Sequence, residues 1–432
     1  IKPHHQSTPG RQWCKTLAMN KTFCVYPWTH QMIDTNGAVK LCCVAEDPTQ
    51  KETGQHMTVK NNSLSKLWND PYMQDVRQRM IDGKQVKDCG QCYRKERRGE
   101  YSFRQRANQG ITNEDRKIIV DQLPHYLDIR FGNLCNLKCR MCTGIYSKKF
   151  GEELEAIADK DEQFRLLAPD SAKSYTFDWY ENPNFWEDLK NYMPFVKLIY
   201  LTGGEPTLVQ GNYDFLQQLI DKGYAENISL VFNTNVTNFQ QRFLDTINQF
   251  KKITLNLSID GIEGVQEYIR YPSKWNHIQK NMNLLMEKVS ESQTKYHLVF
   301  TPTVSIINVA NLGTFIDWAY GFAKTHQMPN VIWDMQPIFL HGPQFQDMIY
   351  ATTDYRYFAL DQLNKVDKHS LAYFENLNRF YDEVVETLQS KFENEPESIM
   401  FRKQLHKWNT SIDNSRGIKI QDYIPYSELL YG

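Results

Sequence analysis

The nine cysteines of this 432-residue chain stand at positions 14, 24, 42, 43, 89, 92, 135, 139 and 142, with none after Cys142. Scatter by chance does not leave most of a chain empty. A chain this long buries a full core without cross-links, and an odd number of cysteines makes a poor disulfide framework. Clustering at short spacings points instead to metal. Inert burial is the plainer alternative, and it suits Cys14 best because that residue stands alone.

Charge narrows the partners. Lys and Arg number 50 against 51 Asp and Glu, a formal net charge of −1. That balance argues against a protein that holds a nucleic-acid backbone or an anionic membrane by charge. Hydrophobic residues at 41% and charged residues at 23% are the proportions of a soluble globular chain. No apolar run reaches the length of a spanning helix, and the first residues lack the apolar stretch of a secretory signal. A cytoplasmic protein with no membrane partner is expected.

From about residue 125 the pattern alternates strand and helix. The strand candidates are HYLDIRF (125–131), VKLIYLT (196–202), ISLVFNT (228–234), ITLNLSI (253–259), HLVFTPTVS (297–305) and VIWDMQPI (331–338). Their nearly continuous apolar character predicts strands covered on both faces. Helical patterns lie between them, at 213–223, 239–250, 275–289 and 312–324. The expected fold class is α/β, a partial (β/α)6 TIM-like barrel with its ligand site at the strands' C-terminal ends. A small cysteine-rich domain is expected at 1–95, a basic linker at 96–124, the barrel at 125–340 and a helical C-terminal extension at 341–432. Within that extension 370–392 reads as one helix, suited to packing or substrate cover. The segment 94–106 carries Arg94, Lys95, Arg97, Arg98, Arg104 and Arg106; a solvated helix is one reading and a dock for an acidic substrate the other.

Directly after the first strand, DIRFGNLCNLKCRMC sets Cys135, Cys139 and Cys142 in a C-x3-C-x2-C spacing. Three thiolates on one loop can bind three irons of a [4Fe-4S] cube and leave the fourth iron open, as a catalytic metal requires. Structural zinc would want a fourth ligand nearby, and this loop has no His.

These residues resemble the radical S-adenosylmethionine (radical SAM) family. That family carries C-x3-C-x2-C after strand one, with a bulky residue before the third cysteine; here Met141 stands there, and the resemblance places it against adenine. The second strand runs into Gly203, Gly204, Glu205 and Pro206, similar to the family's GGEP segment, which binds the ammonium of SAM. Thr234 and Asn235 resemble a ribose-contacting pair. Ser258, Asp260 and Gly261 with Arg270 resemble the serine and arginine that meet ribose and the methionine carboxylate, and an Arg fork suits a carboxylate. Asn308 and Asn311 resemble the region near adenine. Taken singly, each of these polar residues is also an ordinary cap or turn former.

A second resemblance lies upstream. Cys24, Pro27-Trp28, Gly37, Cys42, a Ser-Leu…Trp segment and Cys89-x2-Cys92 are similar to the SPASM/twitch module, an auxiliary iron–sulfur domain. It implies one auxiliary [4Fe-4S] cluster on Cys24, Cys42, Cys89 and Cys92, with Cys43 competing for the place of Cys42 and Cys14 open as an extra ligand. A four-cysteine zinc site fits the same knuckle. In most relatives this module follows the barrel; here it precedes it, as in a circular permutation.

Together the resemblances imply an enzyme that cleaves SAM reductively at a [4Fe-4S] cluster. The resulting 5′-deoxyadenosyl radical would take hydrogen from a substrate C–H bond. The implied substrate is a peptide or protein, with a small molecule (sugar, alcohol or nucleotide) as the alternative. A flavodoxin- or ferredoxin-type protein would donate the electron. No side chain is singled out as a catalytic acid, base or hydrogen donor.

Overall fold

The computed structural model describes residues 21–45, 57–99, 101–109, 117–167, 173–390 and 395–432. A hairpin comes first, β1 (His30–Ile33) and β2 (Val39–Lys40). The main strands follow as β3 (Tyr126–Ile129), β4 (Leu198–Leu201), β5 (Ser229–Thr234), β6 (Lys252–Leu257) and β7 (Lys295–Phe300). After the short β8 (Thr303–Val304) come β9 (Val331–Met335) and the short β10 (Ile338–Phe339). All six expected barrel strands are present. They form one sheet with the hairpin, in the order β2-β1-β3-β4-β5-β6-β7-β9. Every pairing in it is parallel except β1 with β2. β8 and β10 pair separately, in parallel.

The hairpin ties the cysteine-rich segment to the barrel. β1 pairs in register with β3, His30 opposite Tyr126 and Ile33 opposite Ile129, so the first strand of the barrel is an inner strand of the sheet. The turn between β1 and β2 needs Gly37 at φ +82°, and a Cβ there would meet Trp179 Cγ at 2.9 Å. The Trp179 indole then donates to Thr35 O at 2.8 Å, locking the long β3–β4 crossover over the hairpin.

One expectation about the strands is corrected. β5 and β6 alternate, with Leu230, Phe232, Ile253, Leu255 and Leu257 fully buried and Asn233 and Asn256 only half-buried. The apolar face packs under the helices. The opposite face is polar and looks into the barrel, where Asn256 donates to Asn233 at 2.7 Å. A half-closed barrel leaves its interior open, so that face is not the dry, fully packed one of a closed barrel.

The helices follow the apolar periodicity: Gln210–Asp221, Gln241–Ile247, Trp275–Ser290 and Leu312–Thr325 cover the strands. The stretch expected as one helix at 370–392 is broken into Lys368–Tyr373 and Leu377–Gln389. Phe374 is extended and Asn376 is left-handed, at φ +64°. Asn is among the few residues that tolerate this region. A 22-residue helix, Glu395–Arg416, runs back across the barrel, and its buried Trp408 stacks on Phe164 at 5.1 Å.

Arg77 closes the N-terminal unit. It is fully buried and donates to Pro27 O, Trp68 O and Ile118 O at 2.7–3.1 Å and to Asn69 Oδ1 at 2.9 Å. Its guanidinium lies 4.7 Å from the Trp68 ring centroid, and burial pushes its pKa down to about 10. Arg77→Ala would strand several buried acceptors, each worth about 1–3 kcal/mol. We expect at least about 3 kcal/mol of destabilisation in urea unfolding, whereas Arg79→Ala, on the exposed face of the same helix, should change stability by less than about 0.5 kcal/mol.

Candidate functional site

Cys135, Cys139 and Cys142 lie on the loop between β3 and the helix Lys148–Ala158. Parallel βα units put such loops at the C-terminal ends of the strands. Two neighbouring strand ends and the end of the helix Glu263–Ile269 hold this loop. From β4, Glu205 N donates to Leu134 O at 2.8 Å. From β5, Asn235 Nδ2 donates to Asn136 Oδ1 at 3.0 Å and lies 3.9 Å from Cys135 Sγ, while Asn136 donates to Thr237 Oγ1 at 2.7 Å. Beyond β6, Lys138 N and Arg140 N donate to Tyr271 O and Ile269 O at 2.6 and 2.9 Å, flanking Arg270. Burial raises the pKa values of Cys135 and Cys139 and pushes that of Cys142 up to about 12; Arg270 beside Cys139 pulls the other way.

The glycines explain how closely the loops pack. A Cβ on Gly204 would sit on the carbonyl oxygen of Leu134, with Leu134 C at 2.6 Å and Asn133 C at 2.9 Å. Gly203, at φ +120°, faces Gly132 O and Arg130. Glu205 is 1% exposed and spans the ends of β4 and β5. Thr207 Oγ1 and Thr207 N donate to one carboxylate oxygen at 2.7 and 3.2 Å, and Thr234 Oγ1 joins them at 3.0 Å. Asn235 N donates to the other oxygen at 2.7 Å. Burial raises its pKa against the pull of these donors.

Farther round, Asp260 is buried and grips Arg270 bidentately, at 2.6 and 3.0 Å, while accepting from Thr303 N at 2.8 Å. Asn308 braces the same turn by donating to Asp260 O at 2.8 Å and to Thr303 O at 3.0 Å. Asn311 Oδ1 accepts from Ile262 N at 3.4 Å. Ser258 and Arg270 line a cavity, and Met141 packs against the core beside the cysteines. That cavity, about 1650 Å³, also takes in Tyr200, Asn233, Asn256 and Thr301 from the barrel interior.

Sequence reasoning missed the back of the cysteine loop. Arg140, between the second and third cysteines, is fully buried under the helix Glu395–Arg416. It pairs with Asp413, donates to Asn409 Oδ1 at 3.2 Å and to Tyr268 O at 3.0 Å, and lies 3.6 Å from the Tyr268 ring centroid. Arg416 of the same helix donates to Lys138 O at 2.7 Å and clasps Glu153, which also binds Lys138 at 2.9 Å. The basic residues between the cysteines were visible; the acidic partner of Arg140, some 270 positions away, had no local signal.

Upstream, Cys24 and Cys92 are buried and Cys42 and Cys89 half-buried. Burial raises the pKa values of Cys42 and Cys89 and pushes that of Cys24 up to about 12. Cys24, Cys89 and Cys92 lie close enough to repel one another as thiolates, and Cys42 feels Cys43 most, then Cys24 and Cys89. Cys43 instead has Asp128 and Arg130 of the first barrel strand as its strongest charged neighbours. Among the described residues no three Cys, His, Asp or Glu side chains already converge as a metal cage. Cys14 lies outside the described residues. Between the two cysteine groups runs a buried charge chain that the sequence did not announce, Lys40–Asp34–Arg130–Asp128. Burial lifts the pKa of Asp128 to about 6.

A family model of the radical SAM superfamily matches residues 129–316, and one of an iron–sulfur cluster-binding domain of the SPASM type matches residues 24–93. Similar solved structures include native anSMEcpe with bound AdoMet, at 17% identity and a TM-score of 0.37, covering 56% of this chain and 59% of that one. Streptococcus suis SuiB bound to precursor peptide SuiA follows at 14% and 0.32, covering 71% and 61%. The radical S-adenosylmethionine methyltransferase TsrM from Kitasatospora setae, with tryptophan substrate and aza-SAM bound, stands at 8% and 0.33, covering 52% and 39%. The chain thus spans about three fifths or less of the length of these proteins. No curated protein matches it in sequence.

Two substitutions test the packing. Gly204→Ala should push the cysteine loop off the β4 end and cost about 1–3 kcal/mol, read as a lower melting temperature. Asp413→Ala should cost about 3–5 kcal/mol by leaving the Arg140 charge buried without its carboxylate. Amide exchange should speed up across 135–147 before it does across β5 and β6. Adding Arg140→Met to an Asp413→Leu background should recover part of the loss, because both charges then leave together.

Proposed function

From a chain that carries a radical SAM domain with a SPASM-type iron–sulfur domain ahead of it, we infer an enzyme that modifies a peptide or protein by radical SAM chemistry. The observation that carries this reading is the tying of the Cys135/Cys139/Cys142 loop to the ends of β4 and β5 and to the end of the helix Glu263–Ile269, whose next residue, Arg270, lines the cavity.

The residues fit the cofactors. Three thiols sit on one loop, with hydrogen bonds to Cys135 Sγ from Leu137 N at 3.4 Å and Asn235 Nδ2 at 3.9 Å. Such bonds tune cluster potentials. Buried thiols whose pKa values are raised need metal charge to deprotonate, so loading a cluster would release protons. Gly203 and Gly204 leave bare backbone beside the cysteines, where the amino-acid end of SAM could approach. When bound, cluster and SAM supply a one-electron cleavage whose 5′-deoxyadenosyl radical abstracts hydrogen from an unactivated C–H bond.

The chain's own side chains hold and orient. Asp260 holds the Nε/Nη2 edge of Arg270 at the cavity wall, so only the remaining N–H groups of the guanidinium would meet the methionine carboxylate. Ser258 and Asn235 stand where a ribose would lie, and Met141 offers an apolar face to adenine. Glu205 acts on the frame: its oxygens already accept four bonds from its own loop and β5, so it shapes the ammonium site through the backbone it fixes. Cys24, Cys42, Cys89 and Cys92 would hold the auxiliary cluster. Cys42 is preferred to Cys43, whose charged surroundings belong to the barrel.

A peptide or protein is favoured over a small molecule by the extent of the cavity. Its lining runs from Ser258 and Arg270, where SAM would lie, to exposed residues near both ends of the chain, a reach suited to an extended polypeptide. A flavodoxin- or ferredoxin-type donor would supply the electron. Free thiols at all eight described cysteines suit a reducing compartment such as the cytoplasm. Among the described residues no helix is long and apolar enough to cross a membrane.

Anaerobic iron and sulfide analysis with a 5′-deoxyadenosine assay tests the reading. Wild type should hold about eight irons and the Cys135/Cys139/Cys142→Ala variant about four, with SAM cleavage lost. Cys89→Ala/Cys92→Ala should also hold about four while uncoupled SAM cleavage persists. About four irons plus zinc in wild type would keep the radical enzyme and replace the auxiliary cluster. No iron after reconstitution would sink the proposal.

A further inference from the structure

The cavity that reaches Ser258 and Arg270 has two walls of opposite charge, supplied by the two ends of the chain. One wall comes from the N-terminal unit. The helix Gly90–Arg97 and the residues after it place Arg94, Lys95, Arg98 and Arg106 along the cavity, all exposed. The acid of that helix, Glu96, is turned away from it: it accepts from Arg104 Nε at 3.0 Å and from the Ser102 hydroxyl at 2.5 Å.

The opposite wall comes from the C-terminal extension. Glu375 and the helix Leu377–Gln389 line the cavity with Glu383 and Glu386, against one base, Arg379, which pairs with Glu383 at 3.2 Å. This helix is anchored on its other face by buried Leu377, Val384 and Leu388, and at the cavity Phe380 stacks on Phe339 at 4.5 Å. Its acids are thus held at the cavity by apolar packing. The barrel floor between the walls is of mixed polarity, and Arg270 there is already matched by Asp260.

We propose that this cleft binds an acidic peptide segment along the Arg94/Lys95/Arg98/Arg106 wall. Resting on the enzyme reading above, it then presents the adjoining residues of that chain to the strand ends. Two facts favour a polypeptide over a lone anion. The cations are spread along a helix and the segment after it rather than gathered at one point, so they match several charges in sequence. The facing acidic wall repels a uniformly anionic polymer such as nucleic acid, but accepts a peptide whose acidic stretch gives way to neutral or basic residues. The helix that bears Arg94 and Lys95 also bears Cys92, so the docked segment would lie beside the upstream cysteine group.

Fluorescence anisotropy on the full chain tests this with labelled decapeptides of alternating Glu-Gly, Gln-Gly and Lys-Gly, and with a single-stranded RNA decamer. The Glu-Gly peptide should bind at least tenfold more tightly than the other three, and raising salt from 50 to 300 mM should weaken it severalfold. Combined Arg94→Glu, Lys95→Glu, Arg98→Glu and Arg106→Glu should abolish that binding. Lys95→Gln/Arg106→Gln, two neutral changes at exposed positions, should weaken it about threefold or more and serves if the reversed variant does not fold. Glu383→Gln/Glu386→Gln should leave it unchanged or tighter. Equal binding of Glu-Gly and Gln-Gly, indifference to the basic-wall changes, or tighter binding of RNA would each overturn the proposal. Iron content and SAM cleavage on the same samples separate the two readings: peptide binding without iron leaves the cleft standing and removes the radical enzyme, and iron with SAM cleavage but no peptide selectivity does the reverse.

Discussion

Two backbone segments meet at the ends of β3 and β4 with no side chain between them. Gly204 lies against the carbonyl of Leu134, and Glu205 N donates to that same oxygen. This single close approach places the cysteine loop over the strand ends. The remaining ties depend on it: the Asn136–Asn235 bridge, the Cys139-flanking bonds to Ile269 and Tyr271, and the Glu205 carboxylate that joins β4 to β5. A methyl group at Gly204 would enter backbone that has no rotamer to yield.

Buried charge does the rest of the positioning. Three guanidinium groups, of Arg140, Arg270 and Arg416, surround the cysteine loop, each matched by a carboxylate from another element. Such pairs add little net stability over an apolar packing, since desolvation opposes their attraction. What they supply is geometry, because removing either partner leaves an uncompensated charge. The C-terminal helix therefore serves the cysteine loop from behind, through Asp413 and Arg416, while the shorter helix Leu377–Gln389 forms a cavity wall. The extension that reads as packing or substrate cover in sequence has two distinct placements in space.

Much of the architecture was legible because strand and helix periodicities are local. The six barrel strands and the four covering helices stand where apolar runs place them. Where local pattern failed, a tertiary cause is evident. The inner face of β5 and β6 carries Asn233 and Asn256 because an incompletely closed barrel keeps its interior wet, which strand hydropathy alone did not separate from a packed interior. The 370–392 stretch breaks at Asn376, and the second helix packs Phe380 on Phe339 from β10, a contact far away in sequence. The pairing of β1 with β3 joins residues nearly a hundred positions apart, beyond the reach of any short-range signal.

The sequence by itself determined which residues are candidates for the chemistry and where along the chain they fall: three closely spaced thiols after a strand, two glycines at the next strand end, and a second cysteine group upstream. Those are properties of residue type and spacing, which survive in one dimension. Only the tertiary structure decided that Glu205 and Asp260 spend their oxygens on the frame, that Arg140 is held by Asp413, and that walls of opposite charge from the two ends of the chain face each other across one cavity. Charge complementarity and close packing act through space, and their partners are brought together only when the whole chain has folded.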